Sequence, residues 1–166
     1  MAYYFAYGSN MNVARVVARI GDTRRALPGV LVDHALRFDK TSRVPGIAHA
    51  NVVAEPGARV EGALFELQYP AQIELMDPFE GVPHDYRRHA CRVETDEGPI
   101  EAWVYIAVAG KTRESLRPAR EYLDHLLAGK PFLSEHYHAR LSEVDAVEGL
   151  ADRTLTMLGL SRLTPR

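Results

Sequence analysis

The stretch between Leu27 and Val108 constrains the fold most, because β-rich runs follow one another there and are parted by Gly, Pro and Asp turn signals. Leu27–Phe38 reads as one or two strands, and Asp39–Gly46, with Pro45-Gly46, as a loop. Ile47–Ala54 and Val60–Leu67, separated by Glu55-Pro56-Gly57, carry the signature of a hairpin. Tyr86–Glu94 and Ile100–Val108 flank Thr95-Asp96-Glu97-Gly98 and read as a second one. Hairpins make antiparallel neighbours, which disfavours a doubly wound parallel sheet. The expected class is therefore mixed α/β, with a mixed or closed sheet and helices on one side.

The flanks supply the helices. Ala2–Tyr7 reads as a buried opening strand, broken by Gly8-Ser9-Asn10. Val13, Val16, Val17 and Ile20 then recur at helical spacing over Met11–Ile20, with Asn10 or Asn12 as cap and Gly21 as stop. Pro70 opens a short helix with Ile73 and Met76 facing inward, and Pro78 ends it. Beyond residue 115 the period changes. A helix is expected over Leu116–Leu127, ending at Gly129, and another over Phe132–Val144, capped by Ser134 with Tyr137 and Leu141 inward. Residues 1–145 read as one domain and 146–166 as a tail, a helical remnant or loose.

Charge and cysteine content narrow the function classes. A net charge of -2 over 166 residues gives no field that favours nucleic acid or an anionic membrane. The single cysteine, Cys91, rules out a disulfide within the chain and fits a reducing, cytoplasmic setting. No run approaches the ~20 apolar residues of a membrane span, and the N-terminus lacks the basic region of a signal peptide. His136 and His138 stand two apart, so on a helix they diverge and make a poor metal pair.

Two segments carry chemistry. At Tyr7-Gly8-Ser9-Asn10 a strand stops and a helix begins, leaving backbone N–H groups unpaired and able to hold a carboxylate or an oxyanion. Taken alone, an ordinary strand-to-helix turn capped by Asn fits these residues better. In Asp77-Pro78-Phe79-Glu80-Gly81-Val82-Pro83, Glu80 sits among apolar neighbours that can raise its pKa by desolvation and suit it to proton transfer. Taken alone, a solvated turn glutamate is again the plainer reading.

Together, in order and at this spacing, the two segments resemble the γ-glutamylcyclotransferase-like (avirulence-induced-gene-like) family. The likeness runs through "YFAYGSNM", "GIAHANVVAEPGARVEGALFEL", "MDPFEGVPHDYRR" and "RPAREYLDHLLAGKPFLSEHYHARL", roughly residues 3 to 143. It implies a small mixed β-barrel with flanking helices and a cavity at one end, and no metal or organic cofactor. It implies an enzyme that cyclises a γ-glutamyl amine or peptide to 5-oxoproline and releases the amine. Tyr7, Gly8, Ser9 and Asn10 fall on the family's substrate loop, Glu80 on its catalytic acid/base, and Tyr86 close to a pocket tyrosine. Where the family often has a tyrosine at the head of the first C-terminal helix, this chain has Arg120, with Tyr122 two residues on; both are expected at the substrate. The expected partner is a small γ-glutamyl substrate, with no nucleic acid or membrane, and a homodimer is compatible. The alternatives are a non-catalytic binder of the same fold, or a hydrolase or transferase acting on another γ-glutamyl amide.

Overall fold

A computed structural model describes residues 2–160. Its six strands are β1 (Tyr3–Ala6), β2 (Arg25–Thr41), β3 (Ile47–Glu66), β4 (Tyr86–Thr95), β5 (Gly98–Ala107) and β6 (Arg117–Pro118). They run in the order β1-β5-β4-β2-β3-β6, and β1 also pairs with β3. That extra pairing closes β1, β5, β4, β2 and β3 into a five-stranded barrel and leaves β6 outside. The pairs are antiparallel except β1 with β5 and β3 with β6. The helices are α1 (Val13–Ile20), α2 (Arg120–Leu127), α3 (Glu135–Ser142) and α4 (Asp152–Met157).

The expected second hairpin forms as read, β4 and β5 pairing from Tyr86↔Ala107 to Thr95↔Gly98. The first is different. Residues 47–66 are one strand of 20 residues, paired along β2 from Thr41↔Ala48 to Arg25↔Glu66. Glu55-Pro56-Gly57 is therefore a bulge rather than the hairpin turn. The register jumps there, with Val32 opposite Arg59 and His34 opposite Ala54. Asp33, at φ 57, absorbs the jump, and its Oδ1 accepts from the Gly57 N–H at 2.9 Å. Pro and Gly signal a break in regular pairing, and a bulge meets that need as well as a turn does.

The C-terminal helices are shorter than their apolar spacing suggests. Arg117–Pro118 is drawn into pairing with Ile47–Ala48, and Ala119 is extended, so α2 starts at Arg120 rather than Leu116. Phe132 belongs to a separate 3-10 turn, and α3 starts after Ser134, whose Oγ accepts from the Tyr137 N–H at 3.2 Å. In α1 only Val16 and Ile20 are buried, while Val13 and Val17 are exposed. Asn12 is its cap, accepting from the Ala14 N–H at 3.2 Å. The segment after residue 145 adds Ala146, Leu155, Leu158 and Leu160 to the same core; residues 161–166 of the expected tail lie outside the described residues. Among the described residues no helix is long and apolar enough to cross a membrane.

Phe5 fills the barrel interior opposite its strand partner Leu64, and both are buried, as are Val93 and Val104. It fits because two facing positions lack a side chain. A Cβ on Gly62 would lie 2.3 Å from the Ala6 carbonyl oxygen and 2.9 Å from Phe5 Cζ. One on Gly29 would lie 2.7 Å from Val93 Cγ1 and 3.3 Å from Phe5 Cε1. Small residues opposite a large one are how a narrow barrel accommodates its taper. Beyond this plug a cavity lies at the end of β1, where Tyr7 and Gly8 leave the sheet.

Candidate active site

The chain leaves β1 at Tyr7 and enters a 3-10 turn over Ser9–Met11 before α1 begins. The first N–H groups of such a turn have no acceptor within it. Gly8 passes close to α2: a Cβ there would stand 3.0 Å from the Tyr122 hydroxyl and 3.4 Å from Ala50 Cβ. A side chain at this position would push into the cavity, so the glycine keeps the backbone accessible.

Glu80 arrives from the other side on a second 3-10 turn, Asp77–Glu80. Three groups fix that turn. Arg88 grips Asp77 through Nε to Oδ1 at 2.8 Å and Nη2 to Oδ2 at 3.1 Å, and the Tyr105 hydroxyl donates to Asp77 Oδ1 at 2.7 Å. Gly81 closes the turn at φ 63, where a Cβ would collide with Asp85. The result sets Glu80 Oε1 3.3 Å from Nδ2 of buried Asn10, which also donates to the Tyr4 hydroxyl at 2.9 Å.

Tyr7, Gly8, Ser9, Asn10, Glu80, Tyr86 and Tyr122 all line one cavity of about 110 Å³. Their hydroxyls are tied to the scaffold. Tyr7 donates to the Tyr105 carbonyl, Tyr86 to the Ala50 carbonyl at 2.7 Å, and the Ala50 N–H donates to the Tyr122 hydroxyl at 2.9 Å. Arg120 is not brought in. Its Nε bonds Glu148 Oε2 at 2.9 Å on the outside of α2. Residues two apart on a helix point about 200° from one another, so Arg120 and Tyr122 cannot share one pocket. Tyr122 reaches the cavity and the arginine faces away.

Several lining residues escaped the sequence reading. Arg15 and Arg19 stand four apart on α1 and both face the cavity. Arg15 Nε donates to Ser9 Oγ at 3.2 Å and its Nη1 to the Gly159 carbonyl at 3.1 Å. Arg19 Nη1 donates to Asn10 Oδ1 at 3.4 Å, with its guanidinium 4.9 Å from the centroid of the Phe79 ring. His49 lines the wall beside Tyr122, and Leu158 closes the cavity from the C-terminal segment. Their sequence signal is two cations at i and i+4 directly after the loop, set apart from the apolar repeat Val13, Val16, Val17 and Ile20 that marks the helix.

Burial pushes the Glu80 carboxyl up from 4.5 to about 7, with Asp77 adding to the rise, while Arg19, Arg15 and Lys40 pull it down. Burial lowers His49 to about 4, helped by Lys40, Arg15 and Arg19, so it is neutral at pH 7. Burial raises Tyr122 to about 12 and lowers Arg15 to about 10. Among the described lining residues with a shifted pKa, Glu80 alone is poised near neutrality. It is thus the group able both to take a proton and to return it at neutral pH.

The sequence and the fold are both similar to those of known proteins. The sequence model of the family described as "Gamma-glutamyl cyclotransferase, AIG2-like" matches residues 4–124. No curated protein matches by sequence. Among solved structures, one described as "Gamma-glutamyl cyclotransferase" superposes with a TM-score of 0.76 at 22% identity, covering 95% of this chain and 98% of its own. An uncharacterized protein from Homo sapiens gives 0.76 at 24% identity, covering 90% and 91%. A γ-glutamyl cyclotransferase from yeast, described as specific to glutathione, gives 0.60 at 14% identity, covering 86% and 94%. At these identities the structural likeness speaks for the fold, and the sequence match covers well over half of the chain, which therefore belongs to the γ-glutamyl cyclotransferase, AIG2-like family.

Proposed function

We propose that the protein is a γ-glutamyl cyclotransferase, converting a γ-glutamyl amine or peptide to 5-oxoproline and the free amine with Glu80 as acid/base. The observation that carries this reading is the placement of Glu80. Its carboxyl, raised to about 7, stands across the cavity from the backbone of residues 8–10, held by the Asn10 amide at 3.3 Å.

In this reading the substrate's α-amino nitrogen attacks its own γ-carbonyl. A five-membered lactam forms and the bond to the leaving nitrogen breaks. An α-ammonium group of pKa about 7.7–8.0 must first lose a proton, and Glu80 accepts it and then delivers it to the departing nitrogen. The N–H groups opening the 3-10 turn hold the glutamyl carboxylate or the carbonyl oxygen as it gains charge, and Arg15 and Arg19 add positive potential there. The walls fold a flexible chain into its reactive shape, a contribution of roughly 7–11 kcal/mol in well-oriented systems.

The test is 5-oxoproline release, quantified by mass spectrometry, from a panel of γ-glutamyl dipeptides, γ-glutamyl amines and glutathione. Glu80→Gln keeps an oxygen to accept from Asn10 but cannot shuttle a proton. It should lower kcat by about 10²–10⁴. Undiminished turnover in a folded Glu80→Gln protein would refute the mechanism.

A further inference from the structure

The small cavity opens outward past Glu80 and Tyr86 into a groove of about 470 Å³. The two share Arg19, His49, Phe79, Glu80, Tyr86 and Leu158, so whatever leaves the reacting carbonyl projects into the groove. The groove is strongly cationic. Arg19, Lys40, Arg43 and Lys111 line it against two carboxylates, Glu80 and Asp85. Asp85 is already engaged, accepting from Lys40 Nζ at 3.1 Å, and Glu80 belongs to the chemistry. Among the described residues, Arg43 and Lys111 have neither a side-chain hydrogen bond nor an ion pair.

These two cations come from loops on different parts of the barrel, and the loops are fastened to each other. The Lys111 carbonyl accepts from both the Thr41 N–H at 2.9 Å and Thr41 Oγ1 at 3.1 Å. Ser42 Oγ clamps the other loop, donating to the Ile47 carbonyl at 2.7 Å and accepting from the Val44 N–H at 3.1 Å. Two unneutralised cations held on a braced rim, next to a site that expels an amine, make a preorganised seat for an anionic group.

Resting on the cyclotransferase reading, we propose that the groove is a leaving-group subsite in which Arg43 and Lys111 hold a carboxylate, so that the released amine is an amino acid or peptide rather than a simple or cationic amine. The same positive potential repels a leaving group that carries a second ammonium, which would discriminate against diamines and polyamines.

The test compares γ-glutamyl-alanine with γ-glutamyl-ethylamide, which differs only in lacking the carboxylate. Purified wild type should favour the first by about tenfold or more in kcat/KM, on the scale of one charge-assisted contact in a partly exposed setting. The preference should reside in KM and shrink as salt is raised from about 0.05 to about 0.5 M. In the Arg43→Gln, Lys111→Gln double variant the selectivity ratio should fall to within about twofold of one. Equal turnover of both substrates by wild type, or a preference that survives in the variant, overturns the subsite and leaves the cyclotransferase reading standing. Absence of 5-oxoproline from both substrates overturns the subsite and the cyclotransferase reading together.

Discussion

Replacing Glu80 with Gln should make the protein more stable in base while it destroys activity. The carboxyl is raised from 4.5 to about 7 in the fold, chiefly by burial. The native state therefore binds this proton more tightly than the unfolded chain does. The group's contribution to stability is greatest below pH 4.5 and is lost as pH rises through 7. Keeping the carboxylate ionised in the folded site above pH 8 costs about 2–3 kcal/mol, the lower figure allowing for its partial exposure. Glutamine has no proton to lose and keeps the oxygen that faces Asn10. The stability gap between the variant and wild type should thus widen in the variant's favour by about 2 kcal/mol between roughly pH 5 and 8.5. Urea unfolding of both proteins at the two pH values measures it, and every other titrating group cancels in the difference. A gap that is the same at both pH values would mean that Glu80 has an ordinary pKa, and the acid/base assignment would lose its physical basis.

The barrel and the exterior of α2 supply contrasting cases. Gly62→Ala drives a methyl against the Ala6 carbonyl oxygen and the Phe5 ring, so it should cost about 2–3 kcal/mol, read as a melting temperature lower by about 5–10 °C; an unchanged melt would show that Phe5 is not locked as described. Arg120→Ala removes only an exposed contact with Glu148, so stability should fall by less than about 1 kcal/mol and kcat/KM for a γ-glutamyl substrate should stay within twofold; a large rise in KM would place the arginine at the substrate after all.

The barrel was legible in sequence because its strands alternate and its turns are marked, as Thr95-Asp96-Glu97-Gly98 shows by forming the β4–β5 turn. What misled was a signal with two physical meanings. Glu55-Pro56-Gly57 breaks regular pairing, and whether the chain then reverses or bulges depends on whether β2 is long enough to run past it, which local residues do not encode. Leu116 lost its helix for a similar reason, since pairing of Arg117–Pro118 with β3 overrode propensity. The two chemical segments were legible as segments, and the structure sets them facing each other. Arg15 and Arg19 were not, because a cation on a helix is usually solvated and only the tertiary placement of α1 turns these two inward.

Those two arginines explain why the site sits where it does on the pH scale. Burial alone would carry a carboxyl well beyond neutrality, where it would hold its proton and never act as a base. Cations alone would drive it below 4.5, where it would have no proton to give. Arg15, Arg19 and Lys40 offset the desolvation, and the balance falls near 7. An α-ammonium group of about 7.7–8.0 can pass its proton to such a base almost without an uphill step, and the same acid can return it to a departing nitrogen. The balance depends on parts of the chain that lie far apart. Glu80 is fixed through Asp77 and Arg88, and Arg15 is held by the Gly159 carbonyl while Leu158 covers the cavity. Leu158 and Gly159 stand at the far end of the described residues, so the C-terminal segment that covers this cavity shares in setting the degree of desolvation at Glu80.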